Sequence, residues 1–176
     1  LGKDALGLYT VALDLALMPI NKVMSIVNQI ALPALAKTSR ERPEAQGDEL
    51  LAGLRLVAYV IFPCLWGIAA IAPWLLPALL GDKWLPAIAP LQIVALALPM
   101  RVVSNFISTA TVSFGRADIE IKDKLTSALV FPLSFFIGVQ YGVVGLAAAW
   151  CAALPISLLI NLRRTHVAFG IGTLEV

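Results

Sequence analysis

Apolar residues in this chain fall in long runs, not in the short alternations of a soluble fold. A helix needs about 20 apolar residues to cross roughly 30 Å of hydrocarbon. By that measure five spans emerge, at about residues 5–36, 50–72, 86–114, 125–141 and 143–162. The charged stretch KTSRERPEAQGDE separates the first two, and GRADIEIKDK separates the third from the fourth. Residues 73–85, PWLLPALLGDKWL, hold two prolines and two tryptophans and read as a short interfacial helix followed by a turn. Backbone groups in lipid must be satisfied within their own segment, so the spans are expected to be helices. The alternation of a membrane barrel strand is absent. The expected fold class is an all-α membrane protein of about five transmembrane helices. Pro19, Pro63, Pro99, Pro132 and Pro155 each fall inside a span and predict kinks or hinges.

Polar residues interrupt this pattern in two places. The first span contains LALMPINKVMSIVNQIALP, with Asn21, Lys22, Ser25, Asn28 and Gln29 in a stretch suited to hydrocarbon. At about 100° per residue, with Asp14 as origin, Thr10 lies near −40°, Asn21 near −20°, Ser25 near +20° and Asn28 near −40°. Gln29 and Lys22 flank that line at about +60° and +80°. One face of the helix is therefore a polar stripe. In the third span, relative to Arg101, Asn105 lies at about +40°, Ser108 at about −20° and Ser104 at about −60°.

Serines and amides between membrane helices often serve only as interhelical glue, and Ser25, Ser104 and Ser108 taken singly read that way. A charge inside a span is different. Lys22 and Arg101 would each cost about 2.5–3.5 kcal/mol facing lipid, so both are candidate functional residues on a wet surface. Asp14 and Lys22 are about 12 Å apart along one helix and do not neutralise each other. A cross-helix Asp14–Arg101 pair is one open alternative.

Composition supports the membrane reading. The chain of 176 residues is 60% hydrophobic and 14% charged, with a mean hydropathy of +0.89. A soluble domain is about a quarter charged, and a globule of this size could not bury so much apolar surface. The net charge of +2, from scattered basic residues, points to no nucleic-acid partner. Those residues set the orientation, because cytoplasmic loops retain Lys and Arg. Lys37, Arg40, Arg42, Arg55, Arg116, Lys122, Lys124, Arg163 and Arg164 fall on one side, and only Lys3 and Lys83 on the other: nine against two. The N-terminal end of the chain is thus expected outside and the C-terminal end in the cytoplasm. Trp66, Trp74, Trp84, Trp150 and Tyr141 are expected at the outer interface, where amphipathic rings prefer to sit.

Little points to reaction chemistry. Cys64 and Cys151 lie in apolar runs without a CxxC spacing and read as small packing residues. The single His166 assembles no triad. No metal and no cofactor is expected. Without an initial Met, a basic leader or a clear C-terminal stop, the chain reads as a fragment of a longer protein.

Four pieces carry a family likeness: Leu6-Gly7 with Tyr9, Leu80-Gly81 with Trp84, Gly115-Arg116 with Asp118, and Gly142 with Gly145. In this order and spacing the chain resembles the C-terminal half of a polysaccharide-biosynthesis flippase, an O-antigen-type oligosaccharide exporter of the multidrug/oligosaccharidyl-lipid/polysaccharide exporter superfamily. The resemblance implies most of one helical bundle beside a central cavity, with an N-terminal half of the same chain supplying the other bundle. It implies alternating access that carries a lipid-pyrophosphate-linked oligosaccharide from the inner to the outer leaflet of the bacterial inner membrane. Its expected partners are that lipid-linked oligosaccharide and the membrane lipids. Lys22 and Arg101 would suit the pyrophosphate, and Asn21, Asn28, Gln29, Asn105, Ser25 and Ser108 the sugar hydroxyls. Asp14 is discordant, since an unpaired carboxylate would repel such a cargo.

Three rivals stand beside this reading. A drug or cation antiporter of the same superfamily prefers acidic cavity residues, and here Asp14 faces two cations. A membrane-embedded sugar transferase needs carboxylates at a membrane face; Asp118, Glu120 and Asp123 are the candidates, read as an ordinary solvated loop. A structural subunit would transport nothing. Transport without enzymatic activity is the expectation.

Overall fold

A computed structural model describes residues 3–169, and these are helical almost throughout, with no strand among them. Five long helices carry the chain: α1 Lys3–Glu41, α2 Gln46–Leu80, α3 Ile88–Ser113, α4 Ala117–Gly138 and α5 Gly142–Phe169. Short 3₁₀ turns at Pro43–Ala45, Asp82–Ala87 and Val139–Tyr141 join them. Four stretches are long and apolar enough to cross a membrane, and the last runs through both α4 and α5. The chain is a multi-pass, all-α membrane protein.

The helices extend beyond the apolar runs because polar first and last turns continue them. α1 runs past Ala36 to Glu41, where Lys37 and Glu41 pair one turn apart at 3.9 Å. The expected interfacial segment at 73–85 takes another form: α2 continues unbroken to Leu80. Pro73 lacks an N–H and leaves the carbonyl of Ala69 without its helical donor. The Gln92 side chain on α3 supplies one, Nε2 donating to that carbonyl at 2.9 Å. A neighbouring helix therefore makes the proline tolerable.

Helix ends explain three motif glycines. Gly81, Gly115 and Gly142 take φ of +86°, +77° and +75°. At Gly115 the ending is a Schellman motif, in which Arg116 N–H donates to the Thr111 carbonyl and Gly115 N–H to that of Val112, both at 3.0 Å.

α3 is the most buried span and packs against α2, α5 and α1, while α4 rests chiefly on α5. The core holds Val57, Ile61, Leu65, Leu76, Leu91, Leu98, Val102 and Phe106. Small residues let the backbones meet. Gly53 of α2 lies against the Phe106 ring, and Gly138 and Gly145 bring α4 and α5 into backbone contact. Leu56, Tyr59, Leu129, Leu133 and Phe136 are exposed on the outside, as a lipid-covered surface requires.

Candidate functional site

α1 buries one face, with Ala12, Ala16 and Ile20 against the bundle. The polar stripe lies on the opposite side: Thr10, Asp14, Asn21, Lys22, Ser25 and Gln29 are all exposed. Within it Gln29 Nε2 donates to Ser25 Oγ at 3.1 Å. The side chain of Asn28 lies outside the described residues.

Two grooves meet at Arg101. A space of about 250 Å³ between α1 and α3 is lined by Leu17, Asn21, Met24, Arg101, Asn105 and Ser108. The two predicted stripes thus come together through Asn21 on one side and Arg101, Asn105 and Ser108 on the other. Asp14, Lys22, Ser25 and Gln29 are not among its lining residues. A second space of about 280 Å³ between α3, α4 and α5 shares Arg101 and Asn105 and adds Ser104, Asp123, Ser127, Trp150 and Ser157.

Arg101 is half-buried in the middle of α3. Among the described residues no carboxylate comes within ion-pair distance of it; the pairs present are Lys37–Glu41, Arg116–Asp118 and Lys124–Glu120. The Asp14–Arg101 pair does not form. The guanidinium rests instead over the Trp150 ring, with Cζ 5.2 Å from the ring centroid. Trp150 is only 8% exposed, which corrects its expected place in the outer aromatic belt. Its Nε1 donates to Tyr9 Oη at 2.7 Å, and the rings of Phe131 and Phe135 meet it edge-to-face at 5.6 and 5.3 Å. A buried indole finds a partner for its N–H, and the helices fold so as to give Trp150 one.

Asp123 also differs from its expectation. It sits in α4, 5% exposed, not in a solvated loop. Asn161 Nδ2 of α5 donates to its Oδ2 at 3.1 Å, and Thr165 Oγ1 donates to Asn161 Oδ1 at 3.1 Å. Two further polar contacts tie α4 to α5, Ser127–Ser157 at 3.1 Å and Arg164 to Thr126 at 2.8 Å. Asp123 Oδ1 and Ser104 Oγ are buried without a hydrogen-bond partner among the described residues. Asp118 and Glu120 also lie in α4; Asp118 is exposed, whereas the Glu120 side chain is only 16% exposed and pairs with Lys124 one turn on at 3.0 Å. Arg116 Nε donates to Asp118 Oδ1 at 3.2 Å, and this hydrogen bond holds the exposed Asp118 carboxyl below the usual carboxylate range. The three carboxylates therefore stand in different environments, and no metal-binding cluster of His, Cys, Asp or Glu occurs among the described residues. Cys64 and Cys151 are both exposed.

Tyr9, Trp150, Ser127, Ser157 and Asn161 were not singled out as site residues from the sequence, and Asp123 only as a candidate carboxylate of the transferase alternative. A hydrogen bond spanning 141 positions, from Trp150 to Tyr9, leaves no local signal.

Comparison with known proteins gives one answer. Residues 1–89 match the family described as "Polysaccharide biosynthesis protein". The teichuronic acid biosynthesis protein TuaB of Bacillus subtilis is 31% identical over 154 residues, covering 88% of this chain and 32% of its own length. An uncharacterized membrane protein in the cps region of Klebsiella pneumoniae is 26% identical over 162 residues, covering 92% of the chain and 33% of its own length. The lipopolysaccharide biosynthesis protein WzxC of Escherichia coli is 25% identical over the same length, with 92% and 33% covered. No solved structure matches the chain. The chain spans about a third of the length of these curated relatives. With half its length inside one family's signature and relatives aligned along most of the rest, the chain belongs to the polysaccharide biosynthesis protein family.

Proposed function

We propose that this chain forms one wall of a membrane exporter that moves a lipid-pyrophosphate-linked oligosaccharide between leaflets, with Arg101 receiving the anionic link. The observation that carries this reading is an arginine within a span, bordering two grooves, with no carboxylate at ion-pair distance among the described residues. An uncompensated guanidinium in low dielectric favours an anion, and its planar fork of donors suits phosphate. Asn21, Asn105 and Ser108 beside it offer hydrogen bonds to sugar or phosphate oxygens.

Apart from Asn21, the exposed stripe of α1 faces away from this bundle, and the remainder of a longer protein would close the cavity against it. Lys22, Asp14, Ser25 and Gln29 would then line the closed chamber without touching Arg101. The protein would lie in the bacterial inner membrane, with the basic helix ends in the cytoplasm. It would work without chemical catalysis.

The test is polymer export in cells that depend on this protein. Arg101→Ala and Lys22→Ala are expected to abolish export while membrane levels stay normal. Arg101→Lys, which keeps the charge and loses the fork, is expected to retain part of it. Normal export by Arg101→Ala would refute the assignment. Turnover of a sugar nucleotide by the purified protein would favour a transferase instead.

A further inference from the structure

A cation in a membrane can be held in place by a carboxylate or by an aromatic face, and the two have different consequences. A carboxylate uses the guanidinium's donors and cancels its charge. An aromatic face attracts the cation through the ring quadrupole and leaves the N–H donors at the rim free. Arg101 has the second arrangement. Its guanidinium lies over Trp150, and no described residue accepts a hydrogen bond from it or pairs with it.

Trp150 is itself fixed from three directions. It projects from α5, its Nε1 is bonded to Tyr9 of α1, and its ring is flanked by Phe131 and Phe135 of α4. Arg101 comes from α3. One indole thereby gathers four helices around the only cation that borders both grooves among the described spans. Tyr9 is one of the motif residues the sequence singled out, and it touches neither groove. Its contact with Trp150 gives it a role.

We propose that Trp150, oriented by Tyr9, is a positioning residue. It holds the Arg101 guanidinium at the junction of the two grooves with its donors uncommitted, ready for a phosphate-type anion. This rests on the reading of Arg101 as the anion-receiving residue. It adds which residues make that arginine competent.

The test uses inorganic pyrophosphate as probe, titrated calorimetrically against the protein in nanodiscs. Cation–π contacts span about 0.5–2 kcal/mol, so Trp150→Leu is expected to weaken binding by roughly 2- to 30-fold. Trp150→Phe keeps a face and should recover part of the loss. Tyr9→Phe removes only the acceptor for the indole and is expected to weaken binding about 2- to 10-fold. In an Arg101→Ala background neither change should have any further effect, which a merely structural role would not produce.

If Arg101→Ala leaves pyrophosphate affinity unchanged, the reading of Arg101 fails. If Arg101→Ala abolishes binding while Trp150→Leu and Tyr9→Phe match wild type, the positioning role alone is overturned. If Trp150→Leu does not accumulate, Tyr9→Phe decides, because it deletes a single hydroxyl and leaves both rings in place.

Discussion

Gly138 of α4 and Gly145 of α5 bring two backbones into close contact, and this makes a quantitative prediction. A Cβ on Gly138 would lie 2.6 Å from the Gly145 carbonyl oxygen and 3.0 Å from Ala149 Cβ; one on Gly145 would meet the Gly138 carbonyl and Tyr141 Cβ. Carbon and carbonyl oxygen in close contact keep about 3.3 Å, so Gly138→Ala must part α4 and α5 locally by about 0.7 Å. The obstacle is backbone and cannot rotate away. Overpacking of this kind costs about 1–3 kcal/mol, which for a protein of this size lowers Tm by about 2–12 °C. Gly67→Ala is the control: its Cβ meets nothing within 4 Å, and alanine is the better helix former by about 0.5–1 kcal/mol. Gly138→Ala and Gly145→Ala should both melt below wild type in mild detergent, and Gly67→Ala at or above it. The double Gly138→Ala/Gly145→Ala variant should lose less than the sum, because helices already parted have room for the second methyl. Equal melting of Gly145→Ala and Gly67→Ala would refute the close-contact account of α4 and α5.

Two other contacts predict smaller effects. Gln92→Leu strands the Ala69 carbonyl that Pro73 leaves open and is expected to destabilise by about 1–3 kcal/mol; replacing Pro73 with Ala in the same variant should restore the loss, read by thermal melting. Asn161→Ala removes the donor to buried Asp123 and should cost about 1–3 kcal/mol, whereas Asp123→Asn, which keeps the shape and removes the charge, should cost less in the same assay.

What the sequence discloses and what it conceals divide along physical lines. The spans are legible because lipid imposes length and apolarity on each helix independently of its neighbours. The Arg101, Asn105 and Ser108 face is legible because it depends only on the helical period. Where two helices meet, that information ends. Asp123 has the same local surroundings as Glu120 and Lys124, which pair with each other at 3.0 Å; only Asn161, on another helix, marks Asp123 as buried. Trp150 is amphipathic enough for an interface, and its burial is set by Tyr9 at the far end of the chain. The helix through Pro73 and Pro77 was concealed for the same reason, since Gln92 that supports it belongs to α3. The sequence shows the polar stripe of α1, but which side of the bundle it faces depends on where Ala12, Ala16 and Ile20 find their partners.

The account rests on Arg101, a cation at the junction of two grooves with no carboxylate at ion-pair distance among the described residues. Its most direct test is the reactivity of a cysteine at Asn105, in a variant with Cys64 and Cys151 replaced by alanine. An anionic, membrane-impermeant methanethiosulfonate should label Asn105→Cys faster than a cationic one of similar size, and Arg101→Ala should abolish that preference. No labelling by either reagent, or an anionic preference that survives without Arg101, would contradict it.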